Sequence, residues 1–399
     1  MRIRPESFAF TVLIGALAAL PPLSIDMGLP ALGMLQSDLG ASAAEASGTL
    51  SLFLFGFAFG QLIMGPLSDR YGRRPVMLAG MTAYAILGLA CALATAPGWL
   101  LFFRLLEGIG ASGGSTIAIA VVRDRFSGQA GRVKLAAVSM VIVIAPIIAP
   151  SIGALLLRFG QWRLIYLALG LSGVALIAAV FFGLDETHPA DPDARIDLIG
   201  RYGAVFRSKR TLGFAAINAM GSGALFSYIG TSSLVLMGQM GLSAQAFGLT
   251  FALTSGGILC GSTVNNFLAR RAVAAWKPIA FGLFLAPLAA IGAAGFLFAG
   301  IASPITYVPF IMLCGFSRGL INANATHAAL EPVPLHAGSA ASVLGFSQTF
   351  CSGAAGMVVA ALFPAWGAMA VTMAMVCFTI GALLVWRWVE TRHPVPRHA

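Results

Sequence analysis

Long apolar runs, each closed by a short polar break, repeat along this chain of 399 residues. A helix needs about 20 such residues to cross a bilayer. Twelve runs qualify, at roughly 8–29, 47–67, 75–95, 99–122, 134–157, 162–184, 212–238, 246–268, 277–299, 304–327, 338–362 and 366–389. The pattern predicts an all-α membrane protein with twelve transmembrane helices. The most polar stretch runs from Asp185 to Arg210 and includes Asp191-Pro192-Asp193 and Arg207-Ser208-Lys209-Arg210. It divides the chain into an N-terminal six-helix half (1–184), a central loop (185–211) and a C-terminal six-helix half (212–399). Part of that loop, Ile196 to Phe206, has the pattern of an amphipathic helix lying on the membrane.

Composition agrees with this pattern. Apolar residues make up 58% and charged residues 10%, against about 25% charged in a soluble domain. So few charges cannot solvate the surface of a chain this size. The net charge of +10 raises nucleic acid as a partner, but the positives sit in short clusters between apolar runs. That placement fits membrane topology and argues against a nucleic-acid footprint. Of 24 Lys and Arg residues, 20 fall on the side that carries both termini. Arg158 and Arg163 lie opposite, and Arg104 and Arg318 lie within spans. Both termini and the central loop are therefore expected in the cytoplasm. The first run, behind Arg2 and Arg4, reads as an uncleaved membrane helix, because no small-residue cleavage site follows it.

Cofactor chemistry is not signalled. The five cysteines lie inside apolar runs without metal-ligand spacing. There is no Gly-Lys-Ser/Thr phosphate loop and no Gly-x-Ser-x-Gly elbow. The expected partners are a small-molecule substrate, protons and the lipid bilayer, with no cofactor, no metal and a monomeric chain.

One segment carries the most specific pattern. Gly65-Pro66-Leu67-Ser68-Asp69-Arg70-Tyr71-Gly72-Arg73-Arg74-Pro75 places three arginines and an aspartate between the second and third runs. It resembles the Gly-x-Leu-x-Asp-Arg-x-Gly-Arg-Arg/Lys signature of the major facilitator superfamily. Asp26-Met27-x-Leu29-Pro30 and Arg104-x-x-x-Gly108-x-Gly110 resemble the drug/proton antiporters of the Bcr/CflA group. So do Val122-Arg123-Asp124 and Ala145-Pro146-x-x-Ala149-Pro150-x-x-Gly153, the last with Ala where the exporter pattern has Gly. By topology the likeness covers the whole chain, and by motif chiefly residues 20–160.

The resemblance implies two six-helix halves that rock around a site near the bilayer midplane. It implies proton-coupled efflux of small, partly apolar drugs across the bacterial inner membrane, with no enzymatic step. The alternative is a facilitator-fold importer or exporter of a specific metabolite. It also implies a cytoplasmic charge cluster of Asp69, Arg73 and Asp124 that steadies the outward-facing state. Arg70, Arg74 and Arg123 flank that cluster, and Gly65 and Gly72 allow close approach and a tight turn. Pro146, Pro150 and Gly153 mark the exporter helix.

Within the spans, Asp26 stands alone. A charge at membrane depth costs at least ~2.5 kcal/mol, so proton or substrate coupling is its candidate role. The competing reading is a wet acid near the outer interface, because Asp26 falls late in its run. Arg104 and Glu107 share a helix face, and Glu107 stands where the family motif has Gln. It is either a second protonatable site linked to Arg104 or a buried structural partner. In the second half Arg318 lies four residues before Asn322. With Asn218 and Tyr228 these are candidates for a substrate cavity, or else a satisfied contact between spans.

Overall fold

The computed structural model describes residues 3–190, 198–333 and 337–392. The described residues are mostly helical, as a chain in lipid must be to satisfy its own backbone. In the first half α1 (Phe8–Asp26), a 3-10 turn (Leu29–Ala31) and α2 (Leu32–Leu39) are followed by α3 (Ala43–Tyr71), α4 (Arg73–Ala92), α5 (Pro97–Arg125), α6 (Gly128–Leu156) and α7 (Arg163–Gly183). After α8 (Leu198–Arg207) come α9 (Lys209–Ile229), a π-helical turn (Leu234–Gln239), α10 (Ala244–Arg270), α11 (Trp276–Phe298), α12 (Pro304–Leu330), α13 (Ala337–Trp366) and α14 (Ala368–Arg392). Among the described residues, twelve segments are long and apolar enough to span a membrane. Two compact units, 1–197 and 198–399, hold them.

Local chemistry sets the helix ends. Ser42 and Glu45 form a capping box at the start of α3, and Ser303 and Thr306 form one at α12. Pro97 and Pro304 sit in the first turns of α5 and α12, where a missing N–H costs nothing. The first span differs from its expected end at residue 29. It breaks near Pro30 and resumes to Leu39, so the spanning segment is Phe8–Leu39. Asp26 therefore lies at an internal break of the span rather than near its outer end. Asp38 in α2 then accepts hydrogen bonds from Trp162 and Arg163 at the start of α7.

The second and fourth helices of each unit cross with backbone against backbone. A Cβ on Gly56 of α3 would fall 1.8 Å from the Leu105 carbonyl oxygen of α5, and one on Gly108 2.1 Å from the Phe53 carbonyl oxygen. In the second unit a Cβ on Gly261 of α10 would lie 2.1 Å from the Phe316 oxygen, and one on Gly319 of α12 2.4 Å from the Ile258 oxygen. Small residues provide this close contact because apolar side chains gain little by leaving lipid for each other.

The central segment is partly built into the second unit. In α8, Val205 is buried with Ala340 and Val343, and Tyr202, Leu330 and Val333 pack against them. Tyr202 and Val205 thus face protein, while Phe206 on the same helix is exposed. Ile196 and Asp191-Pro192-Asp193 lie outside the described residues.

Candidate functional site

In the first unit, four helices converge on Arg104. Its Nη1 donates to Glu107 Oε2 at 2.7 Å, Nη2 to the Ser24 carbonyl at 3.0 Å, and Nε to the Thr49 carbonyl at 3.2 Å. The Phe53 ring lies 4.3 Å from the guanidinium carbon and the Tyr166 ring 5.5 Å, both in cation–π range. Arg104 and Glu107 are fully buried. Glu107 Oε2 also accepts from the Cys91 thiol at 3.6 Å, while Oε1 has no partner. That free oxygen faces the crossing of α4 and α7, 3.4 Å from where a Cβ on Gly88 would sit.

Asp26 is 4% exposed, which excludes the reading of a wet acid at the helix end. No hydrogen bond or ion pair engages its side chain among the described residues. The backbone around it is held on two sides. Arg104 holds the Ser24 carbonyl, and the Ser24 hydroxyl is 2.7 Å from Tyr84 Oη. On the other side Gly153 of α6 packs so closely that a Cβ there would lie 2.1 Å from the Met27 carbonyl oxygen. Pro150 is buried on α6 and Pro146 is half-buried, and the helix continues unbroken through both. Residues 24–27 are thus clamped between α5 and α6, with an unpartnered acid between the clamps.

The charged segment after the second run is mostly helix. α3 continues through Gly65, Asp69 and Arg70 to Tyr71, and only Gly72 breaks the path, at φ +94°. No L side chain adopts that angle readily. Gly65 does not mediate close approach, because a Cβ there would meet nothing within 4 Å. Arg73 donates from Nη1 to Asp69 at 2.7 Å and to Ser68 Oγ at 2.6 Å, and from Nε to Asp124 at 3.0 Å. The Asp69 side chain is 29% exposed, so the cluster lies at the protein surface rather than in its interior. Arg74 donates to the Phe181 carbonyl and lies over that ring, and Arg70 lies over Tyr71. Arg123 is exposed and stands apart from the cluster.

The cluster has a member that sequence reasoning missed. Glu186, just past α7, accepts from the backbone N–H groups of Arg73 (2.9 Å) and Arg74 (3.1 Å) at the start of α4. A carboxylate suits a helix N-terminus. Thr187 donates to Asp124, and Arg125 donates to the Glu186 carbonyl. The ends of α3, α4, α5 and α7 are tied together in this way. The acidic run Asp185-Glu186 was the available signal, but no spacing rule linked it to Gly72.

In the second unit Arg318 donates from Nη1 to Asn218 Oδ1 at 2.8 Å, and from Nη2 to Ser222 Oγ and Gln348 Oε1, both at 2.9 Å. Asn322, expected beside it, is exposed and does not bond to it. Tyr228 is buried elsewhere on α9, its ring 6.5 Å from Phe251 and 6.4 Å from Tyr307. Four candidates from the sequence therefore resolve into an Arg318–Asn218 pair, a separate aromatic group around Tyr228, and an uninvolved Asn322.

Comparison with known proteins agrees with this architecture. The chain is similar to a bicyclomycin resistance protein homolog of Haemophilus influenzae, 29% identical over 394 residues and 96% of both chains. It is equally similar to the multidrug resistance protein MdtL of Escherichia coli, 29% identical over 398 residues, 98% of this chain and 97% of that one. Among solved structures, a bacterial homolog of the human lysosomal transporter Spinster superposes with a TM-score of 0.77 at 15% identity, over 98% of this chain and 97% of that one. The nucleoside transporter NupG gives 0.74 at 14% identity, over 96% and 98%. At such identities the likeness is one of fold. Residues 12–357 match the Major Facilitator Superfamily pattern, and with twelve spanning helices in two units the chain is a multi-pass membrane protein that belongs to that superfamily.

Proposed function

We propose that this protein is a proton-coupled exporter of small, partly apolar compounds in the bacterial inner membrane, with both termini in the cytoplasm. The observation that carries the reading is Asp26, buried and unpartnered at a break in the first span. An ionisable group at membrane depth without a fixed counter-charge is suited to exchange a proton. The relatives' resistance names support efflux of drugs over transport of a metabolite.

In this reading, protonation of Asp26 shifts the clamped segment 24–27, and Arg104 passes that shift to α3 through Thr49 and to α5. Glu107 serves as the fixed counter-charge of Arg104, since its Oε2 is already engaged and its Oε1 is boxed against the α4–α7 crossing. The Asp69–Arg73–Asp124 cluster latches the cytoplasmic ends of the first half in one state of the alternating-access cycle. Gly153 and the α6 prolines hold the seam against α1. Protons move inward as substrate moves outward, and the chain acts as a monomer.

Asp26→Asn tests this reading. In vesicles loaded with purified protein, the variant is expected to fold and insert normally yet lose proton-gradient-driven ethidium export. Full export by Asp26→Asn overturns the assignment of Asp26. Collapsing the gradient in cells should raise ethidium accumulation, whereas lowered accumulation would identify an importer.

A further inference from the structure

The two buried arginines differ in how their charge is balanced. Arg104 has Glu107 at 2.7 Å. Arg318, 9% exposed, is held by an amide oxygen, a hydroxyl and a second amide oxygen. These oxygens satisfy donors but carry no charge. From Leu198 onward the sequence contains two carboxylates, Glu331 and Glu390. Glu331 is paired with Arg210 at 2.7 Å, and thirteen residues of helix, about 20 Å at 1.5 Å each, separate it from Arg318. Glu390 lies in the last turn of α14. The second unit therefore holds a buried cation that no acid of its own can neutralise.

Such a charge is costly, and a buried guanidinium is normally paired with an anion. We propose that Arg318 is the anchor of a binding site for an anionic group, a carboxylate or its equivalent, on the exported compound. This inference rests on the reading of the chain as an exporter and names the class of compound it takes. The surroundings suit the role. Asn218, Ser222 and Gln348 fix the guanidinium plane, and Nε takes no acceptor among the described residues. Gly221 sets no side chain over it, so that even an added Cβ would stand 3.4 Å from Nη1. Gln348 and Gly221 are half-buried rather than sealed. A carboxylate reaching this point gains charge-assisted hydrogen bonds and the pairing that the protein lacks, while an amide of the same shape gains only the hydrogen bonds.

Three probes of shared shape separate these outcomes: 2-naphthoate, 2-naphthamide and 2-naphthylmethylammonium, titrated onto the purified full-length protein in detergent. Wild type is expected to bind the naphthoate at least about tenfold more tightly than the amide, a difference of about 1.4 kcal/mol. Arg318→Gln should erase that preference, and Arg318→Lys should keep part of it. Equal or tighter binding of the amide or the ammonium, a preference that survives Arg318→Gln, or no binding of any probe overturns the proposal. Arg318→Gln is expected to unfold cooperatively in detergent at a temperature close to wild type, so that lost naphthoate selectivity in a folded variant supports the anion site. The exporter reading is tested apart from it by Asp26→Asn, which is expected to lose gradient-driven export while keeping its preference for naphthoate over naphthamide.

Discussion

Each half of this protein buries one arginine in its fourth helix, and the two are treated in opposite ways. Arg104 is enclosed by Glu107, two backbone carbonyls and two aromatic rings, and is fully buried. Arg318 is met by neutral side chains and retains a little exposure. The scaffold beneath is shared, since the same glycine-to-carbonyl crossing joins the second and fourth helices in both halves. Duplicated architecture thus carries unlike electrostatics. In the first half the arginine is a neutralised junction beside an acid that stands alone, and in the second it is itself the group without a counter-charge.

The largest effect should come from unpairing the first arginine. Glu107→Leu leaves Arg104 as an uncompensated buried charge and is expected to destabilise the protein by roughly 3–5 kcal/mol. Asn218→Leu removes one neutral acceptor from Arg318 and should cost about 1–3 kcal/mol. Denaturant unfolding of both variants in detergent measures the contrast, and equal losses would abolish it. Glu107→Gln is the sharper probe, because it gives Arg104 the kind of partner Arg318 has. With Glu107 as fixed counter-charge, the variant should lose stability yet keep its proton-to-substrate ratio. A changed ratio would make Glu107 a proton carrier.

A middle-sized effect tests the shared scaffold. Gly56→Ala and Gly261→Ala each drive a Cβ into a carbonyl oxygen, at 1.8 Å and 2.1 Å. Overpacking of this kind typically costs 1–3 kcal/mol, and the two thermal shifts should match. A silent Gly261→Ala would mean that the halves do not share this crossing. The smallest effect belongs to the periphery. Glu186→Gln removes the charge that caps α4, an interaction of about 0.3–1 kcal/mol, and should slow ethidium export by no more than about fivefold. Loss as complete as with Asp26→Asn would give Glu186 a direct part in transport rather than a supporting one at the start of α4.

The spans were readable because lipid admits few charges, and Asp26 and Arg104 stood out for the same reason. Helix lengths were not readable. α3 runs four residues beyond its apolar run, so a segment that looked like a loop is helix up to Gly72. The partners of Arg104 were hidden in part because Ser24 and Thr49 contribute carbonyls, which every residue has. Asn322 failed because four-residue spacing places two side chains on one helix face without saying what else competes for them. Asn218, Ser222 and Gln348, from two other helices, met Arg318 instead. Gly65 and Gly56 look alike in sequence, and only the neighbouring helix makes one of them indispensable.

The hold of Arg104 on Ser24 and Thr49 has an evolutionary consequence. Because the guanidinium grips main-chain oxygens, the side chains at 24 and 49 can be exchanged without unseating it. A lineage is then free to vary the side chains beside Asp26 while the junction beneath stays in register.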